Sequence, residues 1–202
     1  MKKLLIATGN QDKVAEIKEK YRDLKFEIVS PGELNLDFAV EETGSTLEEN
    51  ALLKARAGAE KSGLLTLADD TGLAVDALDG RPGVYSARFA GPDASYQDNN
   101  LHLLKLLEDI PAEKRQAAFC TVAALVDPEK NLEVTVEGRL EGRILTDLRG
   151  EQGFGYDPIF YLPERGKTLA ELSLEEKNAI SHRARALEKM KSKLQEFYHQ
   201  TG

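Results

Sequence analysis

The sequence has little cysteine, no tryptophan and no long apolar run. Its one cysteine, Cys120, excludes an internal disulfide and favours a reducing, cytoplasmic location. No apolar stretch approaches the roughly 20 residues of a membrane span, so we expect no membrane association. The start MKKLL is charged, but its apolar stretch covers only residues 4–8 before polar residues follow. We therefore expect no signal peptide.

Positive charge is also scarce, with 27 Lys and Arg against 35 Asp and Glu and a net charge of −8. This balance argues against direct, non-specific nucleic-acid binding. An acidic protein can still bind a polyanion through a local cluster of donors or through a metal. The 41% hydrophobic and 31% charged content is typical of a folded globular protein, and 202 residues can bury a sizeable core.

The spacing of apolar residues predicts an α/β domain with a mixed sheet. The predicted strands are residues 3–7, 26–30, 64–68, 73–77, 117–126 and 133–140, the last two as a hairpin. The predicted helices are 12–21, 46–62 and 96–107, followed by a C-terminal helix carrying Leu187, Met190, Leu194 and Phe197. The segment Thr46-Leu-Glu-Glu49 is typical of a capping box, and Gly63 is typical of a helix end.

A polar loop joins the first predicted strand to the first helix. It consists of Thr8, Gly9, Asn10, Gln11, Asp12 and Lys13. Backbone N–H groups at a helix N-terminus attract anions, a glycine lets a phosphate approach closely, and a lysine adds positive charge. The spacing is not that of a Walker loop. The alternative is an ordinary asparagine cap, and the residues alone do not decide between the two.

Two acidic stretches lie farther along the chain. Glu41 and Glu42 precede the capping box, and Asp69-Asp70-Thr71-Gly72 is interpreted as a turn between two short strands. Lone acidic pairs are usually solvated, and Asp and Gly are common in turns. Carboxylates from both stretches could instead hold Mg²⁺, which binds through a few carboxylates, waters and substrate phosphates.

Two further segments could contact a nucleotide. In residues 153–158, Phe154, Gly155, Tyr156 and Asp157 form a loop suited to a flat ring, or else a tight turn with core aromatics. Near the C-terminus, Lys177, His182 and Arg183 cluster as donors for phosphate or base if the last helix begins near Ser181. If Ser173 caps one continuous helix, the same residues spread around its surface.

Taken together, these segments resemble the inosine/xanthosine triphosphate pyrophosphatase family. The matching pieces are TGNQDK at 8–13, EETGSTLEENALLKA at 41–55, ADDTGLAVDAL at 68–78, RPGVYSARFAG at 81–91, GFGYDPIF at 153–160 and EEKNAISHRA at 175–184. The resemblance implies one domain over residues 1–202, built as a two-lobed α/β fold. Its elongated mixed sheet would be flanked by helices, with the active-site cleft between the lobes. It also implies a homodimer, Mg²⁺ dependence and hydrolysis of deaminated purine nucleoside triphosphates to monophosphate and diphosphate.

The same resemblance implies roles for individual residues. Asp70 would be the proton acceptor and a metal ligand, with Glu41 as the other ligand, whereas the parts of Asp69 and Glu42 stay open. The triphosphate would meet residues 8–13 and Lys177, and Thr71 keeps the hydroxyl of a family serine. The base would meet Phe154, Gly155, Tyr156, Asp157, His182 and Arg183.

Two other functions fit parts of the pattern. A nucleotide sensor without catalysis would lack a water-activating base, and the presence of Asp70 therefore favours an enzyme. A pyrophosphatase for modified pyrimidine or ordinary nucleotides would differ only in its base pocket. The residue that would reject GTP, whose base also carries a 6-oxygen, is not evident from the sequence.

Overall fold

The computed structural model describes residues 1–198, except for the side chain of Asp12. It divides into two compact units. The first unit contains Met1–Asp70, Thr121–Gly138 and the described part of Arg185–Gly202; the second contains Thr71–Cys120 and Arg139–Ala184. That they form a single domain with a cleft between two lobes stays a prediction.

Eight strands and five α-helices lie within the described residues. The strands are β1 (Lys2–Ile6), β2 (Phe26–Val29), β3 (Leu65–Val75), β4 (Pro82–Gly83), β5 (Gln116–Asp127), β6 (Leu132–Ile144), β7 (Phe160–Leu162) and β8 (Lys167–Thr168). The helices are α1 (Gln11–Lys20), α2 (Leu47–Ser62), α3 (Tyr96–Leu106), α4 (Leu174–Ile180) and α5 (His182–Tyr198). Strands β3, β5 and β6 each contribute residues to both units.

The first unit has a sheet with helices on both faces. Its strand order is β2-β1-β3-β5-β6, and β1 is parallel to both β2 and β3. On one face α1 and α5 bury apolar side chains, among them Ile17, Tyr21 and Leu187, against the sheet. On the other face α2 presents Ala51, Ala55 and Ala59. These small residues, spaced four apart, let the helix backbone approach the sheet closely.

The second unit surrounds a separate core. Here β4 and β7 pair antiparallel with β3 and β6, and β8 pairs antiparallel with β7. The core contains apolar side chains from β3, β5, β6 and β7, from α3 and from the loop before β7. Its large members include Leu73, Leu103, Leu107, Phe119, Ile159 and Phe160.

The predicted α/β class with a mixed sheet is confirmed, and the predicted helices begin and end within a residue or two of α1, α2 and α3. The turn predicted at Asp69 and Asp70 is wrong, because β3 runs without a break from Leu65 to Val75. Two adjacent carboxylates favour the end of a buried strand unless partners compensate their charge. Lysine side chains pair with both carboxylates instead, so the buried strand can continue through them. Sequence reasoning also missed the short strands β4, β7 and β8.

The C-terminal segment is broken into two helices and does not form one continuous helix from Ser173. Ser173 caps the short helix α4, and Ser181 lies between α4 and α5 with extended backbone at φ −60° and ψ 154°. The Ser181 Oγ accepts a hydrogen bond from Ala184 N at 3.1 Å. The final helix therefore begins at His182, which brings Lys177, His182 and Arg183 to either side of one break. Within the described part of the chain, no helix is long and apolar enough to cross a bilayer.

We predict that Ala55→Leu destabilises the first unit, because Ala55 is fully buried where α2 packs closely on the sheet. Overpacking a core typically costs about 1–3 kcal/mol. Urea denaturation would measure the loss. Glu60→Leu, an exposed position on the same helix, is the control and should change stability by less than about 0.5 kcal/mol. Equal effects of the two substitutions would contradict close packing at Ala55.

Candidate active site

Asp69 and Asp70 lie on opposite faces of the sheet in the first unit. Successive side chains of a strand point to opposite faces. Leu65 and Leu67 belong to the core with α1 and α5, so Asp69 shares that face. Ala68 belongs to the core with α2, so Asp70 faces α2. The two adjacent carboxylates therefore have different surroundings.

Asp70 is buried, with 8% of its surface exposed, and faces polar side chains of α2. The Lys54 ammonium lies 2.8 Å from Asp70 Oδ1, and Asn50 Nδ2 donates a long hydrogen bond of 3.4 Å to Oδ2. Burial raises the pKa of the Asp70 carboxyl above its ordinary value, and the Lys54 ammonium opposes this increase without cancelling it. A carboxylate with a raised pKa is a stronger base than an ordinary aspartate.

Lys54 also joins Asp70 to the first acidic stretch. Its ammonium lies 2.7 Å from Glu42 Oε1, so it bridges the two carboxylates. Burial lowers the pKa of Lys54, but Asp70 and Glu42 outweigh this and raise it overall. Glu41, the residue expected to ligate a metal, is exposed, and Glu42 is the glutamate that shares Lys54 with Asp70.

Asn50 positions the acidic stretch against α2. Its Oδ1 accepts a hydrogen bond from Gly44 N at 2.8 Å, while its Nδ2 faces Asp70. A Cβ on Gly44 would lie 2.6 Å from that Oδ1, so only glycine fits this approach. The capping box of Thr46 and Glu49 then starts the helix. Glu42 reaches Lys54 because the loop carrying it docks on the helix N-terminus.

Asp69 pairs with Lys13 on the other face. Lys13 Nζ lies 2.8 Å from Asp69 Oδ2, and the side chains are 17% and 1% exposed. The parallel pairing of β1 with β3 brings the loop after β1 beside this part of β3. Lys13 belongs to the first turn of α1, and the pairing therefore links the polar loop to the acidic strand.

The polar loop forms the asparagine cap that the sequence left open. Asn10 Oδ1 accepts from Lys13 N at 3.2 Å, and Thr8 Oγ1 accepts from Asn10 N at 3.2 Å. A Cβ on Gly9 would meet no described atom within 4 Å, so the space beside it is open. Gln11 is exposed at the helix start, and the side chain of Asp12 lies outside the described part. This cap is compatible with anion binding, since the helix N-terminus keeps its partial positive charge.

In the second unit, Asp157 organises the aromatic loop. Its Oδ2 accepts from Phe154 N at 2.9 Å and pairs with the Lys177 ammonium. Lys177 Nζ also lies 4.6 Å from the centre of the Phe154 ring, whose residue is 43% exposed. Gly153 has φ +79°, and a Cβ there would lie 2.1 Å from Asp157 Oδ2. Lys177, expected to meet the triphosphate, is thus placed beside the loop expected to hold the base.

Two hydrogen bonds anchor the same loop to its own unit. The Tyr156 hydroxyl donates to Ser86 O at 2.9 Å, and Asn100 Nδ2 on α3 donates to Gly155 O at 2.8 Å. Burial raises the pKa of Tyr156. Tyr156 therefore has a structural contact in addition to any role toward a base, and the exposed Phe154 is the aromatic face that the loop presents.

His182 and Arg183 are buried at the start of α5. The His182 ring stacks on Phe119, with centroids 4.7 Å apart and planes at 14°. Thr71 follows Asp70 on β3 and is half-buried at the start of the second unit's share of that strand. Their roles toward a substrate stay predictions.

The residues that orient these groups were not predicted as site residues, although Asn50 and Lys54 were placed on the helix behind the acidic stretch. Lys54 and Asn50 orient Asp70 and Glu42, whereas Asn100 and Ser86 anchor the aromatic loop. A signal existed for the first pair. Asn50 and Lys54 are four residues apart, beside the buried alanines 51 and 55, so they share the inner edge of α2. No comparable signal marks Ser86, whose backbone oxygen makes the contact.

The donor set is suited to oxygen-binding cations rather than to zinc. Among the side chains that the structure describes, no group of three or more from His, Cys, Asp or Glu is arranged to hold a metal ion. Glu42 and Asp70 do converge on one positive charge. Two carboxylates with waters and phosphates are a usual environment for Mg²⁺.

The chain is similar in sequence to known proteins over nearly its whole length. The model of the Ham1 family matches residues 4–193. A Thermoanaerobacter sp. (strain X514) protein named dITP/XTP pyrophosphatase is 56% identical over 190 residues, covering 94% of this chain and 95% of that protein. A Bacillus cereus protein of the same name is 48% identical, covering 98% and 97%.

Solved structures give the same result. A HAM1 protein from Coxiella burnetii matches with a TM-score of 0.92 and 43% identity, covering 97% of this chain and 100% of that one. A nucleoside-triphosphatase, dITP/XTP pyrophosphatase, from Mycobacterium abscessus matches with a TM-score of 0.80 and 47% identity, covering 93% and 98%. The chain belongs to the Ham1 family.

Proposed function

We propose that this chain hydrolyses deaminated purine nucleoside triphosphates such as ITP, dITP and XTP to the monophosphate and diphosphate. The observation that carries the proposal is Asp70, a buried carboxylate of raised pKa held between Lys54 and Asn50. It occurs in a Ham1-family chain that is 56% identical to a protein named dITP/XTP pyrophosphatase. Such an activity would remove these nucleotides before they enter DNA or RNA.

Asp70 is proposed as the general base. A water attacks the α-phosphorus, its proton passes to an Asp70 carboxylate oxygen, and the bond from the α-phosphorus to the bridging oxygen of the diphosphate breaks. Burial raises the pKa of this carboxyl in the metal-free protein, which strengthens it as a base. A bound Mg²⁺ would lower that pKa again, so the rate should fall as the pH drops through the pKa of Asp70 in the metal-loaded protein. Phosphoryl chemistry otherwise needs mainly positioning and charge neutralisation.

Mg²⁺ is the cofactor we propose, and Asp70 and Glu42 fit it best. Their carboxylates already converge on one cation, the Lys54 ammonium. Glu41, proposed from the family resemblance, lies next in the chain and is exposed. When bound, the ion supplies positive charge to the phosphate oxygens.

The polar loop is the proposed triphosphate site. Lys13 carries the charge, Thr8 and Asn10 order the loop, and the open space beside Gly9 admits a phosphate. The backbone of Gln11 and Asp12 begins α1, where partial positive charge favours an anion. Thr71, next to Asp70, could add a hydroxyl.

The purine base of the substrate is proposed to contact the aromatic loop and the start of α5. Phe154 offers an exposed ring, Gly155 and Asp157 shape the loop, and Lys177 stays close to it. Tyr156, His182 and Arg183 complete the proposed set. A donor aimed at the 6-oxygen of hypoxanthine or xanthine would be left unpaired by the amino group of adenine, which disfavours ATP.

We further propose a cytoplasmic homodimer that acts on free nucleotides rather than on nucleic acid or at a membrane. The support is the family resemblance, the single cysteine and the net charge of −8. Sedimentation analysis of the purified protein would measure the dimer directly, and a monomer at micromolar concentration would contradict it.

A substrate panel tests the activity. Purified protein is incubated with Mg²⁺ and ITP, XTP, dITP, GTP or ATP, and the monophosphate and diphosphate are quantified. The unpaired-donor argument predicts that ATP is disfavoured by about 1–3 kcal/mol, which corresponds to roughly fivefold to 150-fold. Excess chelator should abolish turnover, and added Mg²⁺ should restore it. Equal turnover of ITP and ATP would contradict the selectivity; full activity in chelator would contradict the metal.

The substitution Asp70→Asn tests whether Asp70 is the general base. The substitution keeps the shape and leaves an oxygen that can accept from Lys54, so the chain should stay folded. A general base typically contributes about 10²–10⁴-fold, so kcat should fall at least about a hundredfold, measured by single-turnover hydrolysis of ITP. Asp79→Asn makes the same chemical change at an exposed residue with φ 54°, which asparagine tolerates, and should leave kcat unchanged. A folded Asp70→Asn protein with parental turnover would show that Asp70 is not the base.

Lys54→Met tests the shared cation. Without the ammonium, Glu42 and Asp70 keep two uncompensated charges, so the free energy of unfolding should fall. We expect about 1–3 kcal/mol, below the usual cost of breaking a buried pair, because the Glu42 side chain is 30% exposed. Mg²⁺ should then stabilise the variant more than the parent. Lys61→Met, at an exposed lysine of the same helix, is the control, and an equal loss there would contradict the bridge.

A further inference from the structure

Asp69 is the acidic residue of β3 to which the proposed reaction gives no role. It is almost fully buried, with 1% of its side chain exposed, yet it lies on the face of β3 opposite Asp70. Burying a carboxylate is costly unless a partner compensates its charge. One such partner is Lys13, whose ammonium lies 2.8 Å away.

A ligand role toward the metal fits Asp69 poorly. The carboxylates that converge on one cation are Asp70 and Glu42, both on the side of α2. The Asp69 side chain lies on the same face of β3 as Leu65 and Leu67, which is the face toward α1 and α5. For Asp69 to join the same ion, the strand would have to give up the alternation that its buried neighbours require.

A role toward Lys13 fits its position well. A free lysine side chain samples many rotamers, and ordering it on binding costs affinity. Asp69 is fixed by the sheet, whereas Lys13 belongs to the first turn of α1 directly after the polar loop. The buried carboxylate therefore holds the ammonium beside the helix N-terminus before any ligand arrives.

We propose that Asp69 is a positioning residue that orders the Lys13 ammonium for the phosphates of the substrate, and that it is not a ligand of the metal. The inference deepens the proposed function and rests on it for the identity of the ligand. The two adjacent aspartates then have separate tasks: Asp70 acts at the reacting centre, and Asp69 acts through a lysine on the opposite face.

A double-mutant cycle on the full chain tests the coupling. The variants are Asp69→Asn, Lys13→Met and the two combined, with ITP kinetics and the binding of inorganic triphosphate measured by calorimetry. Asp69→Asn should raise KM and the triphosphate Kd by about tenfold, with kcat changed less than about threefold. In the Lys13→Met background the same substitution should have almost no further effect on either constant. Independent, multiplying effects would overturn the proposal.

Metal binding supplies the second readout. Titration with Mn²⁺, a spectroscopic substitute for Mg²⁺, should give the same affinity for Asp69→Asn as for the parent, within about twofold, and a weaker one for Asp70→Asn. If Asp69→Asn weakens Mn²⁺ binding as much as Asp70→Asn, Asp69 is a metal ligand and the proposal is wrong.

An unmutated sample keeps the test decisive if Asp69→Asn does not fold. Nuclear magnetic relaxation of the lysine ε-methylene groups should show Lys13 ordered without ligand, in contrast to the exposed Lys25. Equal mobility of the two side chains would overturn the proposal. Triphosphate binding separates the two failures: if ITP is not hydrolysed but the coupling to triphosphate persists, the proposed activity fails and the positioning role stands.

Discussion

The alternation of side chains along β3 is the constraint on which the acidic site of the first unit depends. Leu65 and Leu67 are committed to the core with α1 and α5, and Ala68 to the core with α2. Because side chains alternate, these neighbours determine the face on which Asp69 and Asp70 each lie. A slip of one residue would exchange the faces and turn Leu67 toward α2, where closely packed alanines leave little room, so the two cores determine which lysine each aspartate meets.

Lysine–carboxylate pairs recur where this chain buries negative charge. Asp69 meets Lys13 and Asp70 meets Lys54 in the first unit, and in the second unit Asp157 pairs with Lys177. Each pair offsets the desolvation of a carboxylate and orders a long, flexible side chain at the same time. The ammonium groups are therefore held in place beside segments that carry the polar loop, the acidic stretch and the aromatic loop.

Glycines and amides complete this arrangement by letting backbones approach. Gly44 allows the acidic loop to dock on Asn50, and Gly153 leaves room for the Asp157 carboxylate. Asn100 anchors the aromatic loop from α3. Apart from Asn50, which donates a hydrogen bond to Asp70, these residues touch no reacting group in the proposed mechanism. They govern how closely the loops carrying Glu42 and Phe154 are held, which is the kind of control that substrate positioning requires.

Apolar periodicity and the motifs from residue 8 to residue 184 are local properties of the chain, so the α/β class, the long helices and the family could be predicted from them. Contacts between distant segments account for three further features: β3 continues through Asp69 and Asp70, Glu42 rather than Glu41 shares Lys54 with Asp70, and Lys177 lies beside Asp157. The two adjacent carboxylates predict a turn because the lysines that compensate their charge are distant in the sequence. Lys13 lies 56 residues from Asp69, and Lys54 lies 16 residues from Asp70. Only folding brings those charges together.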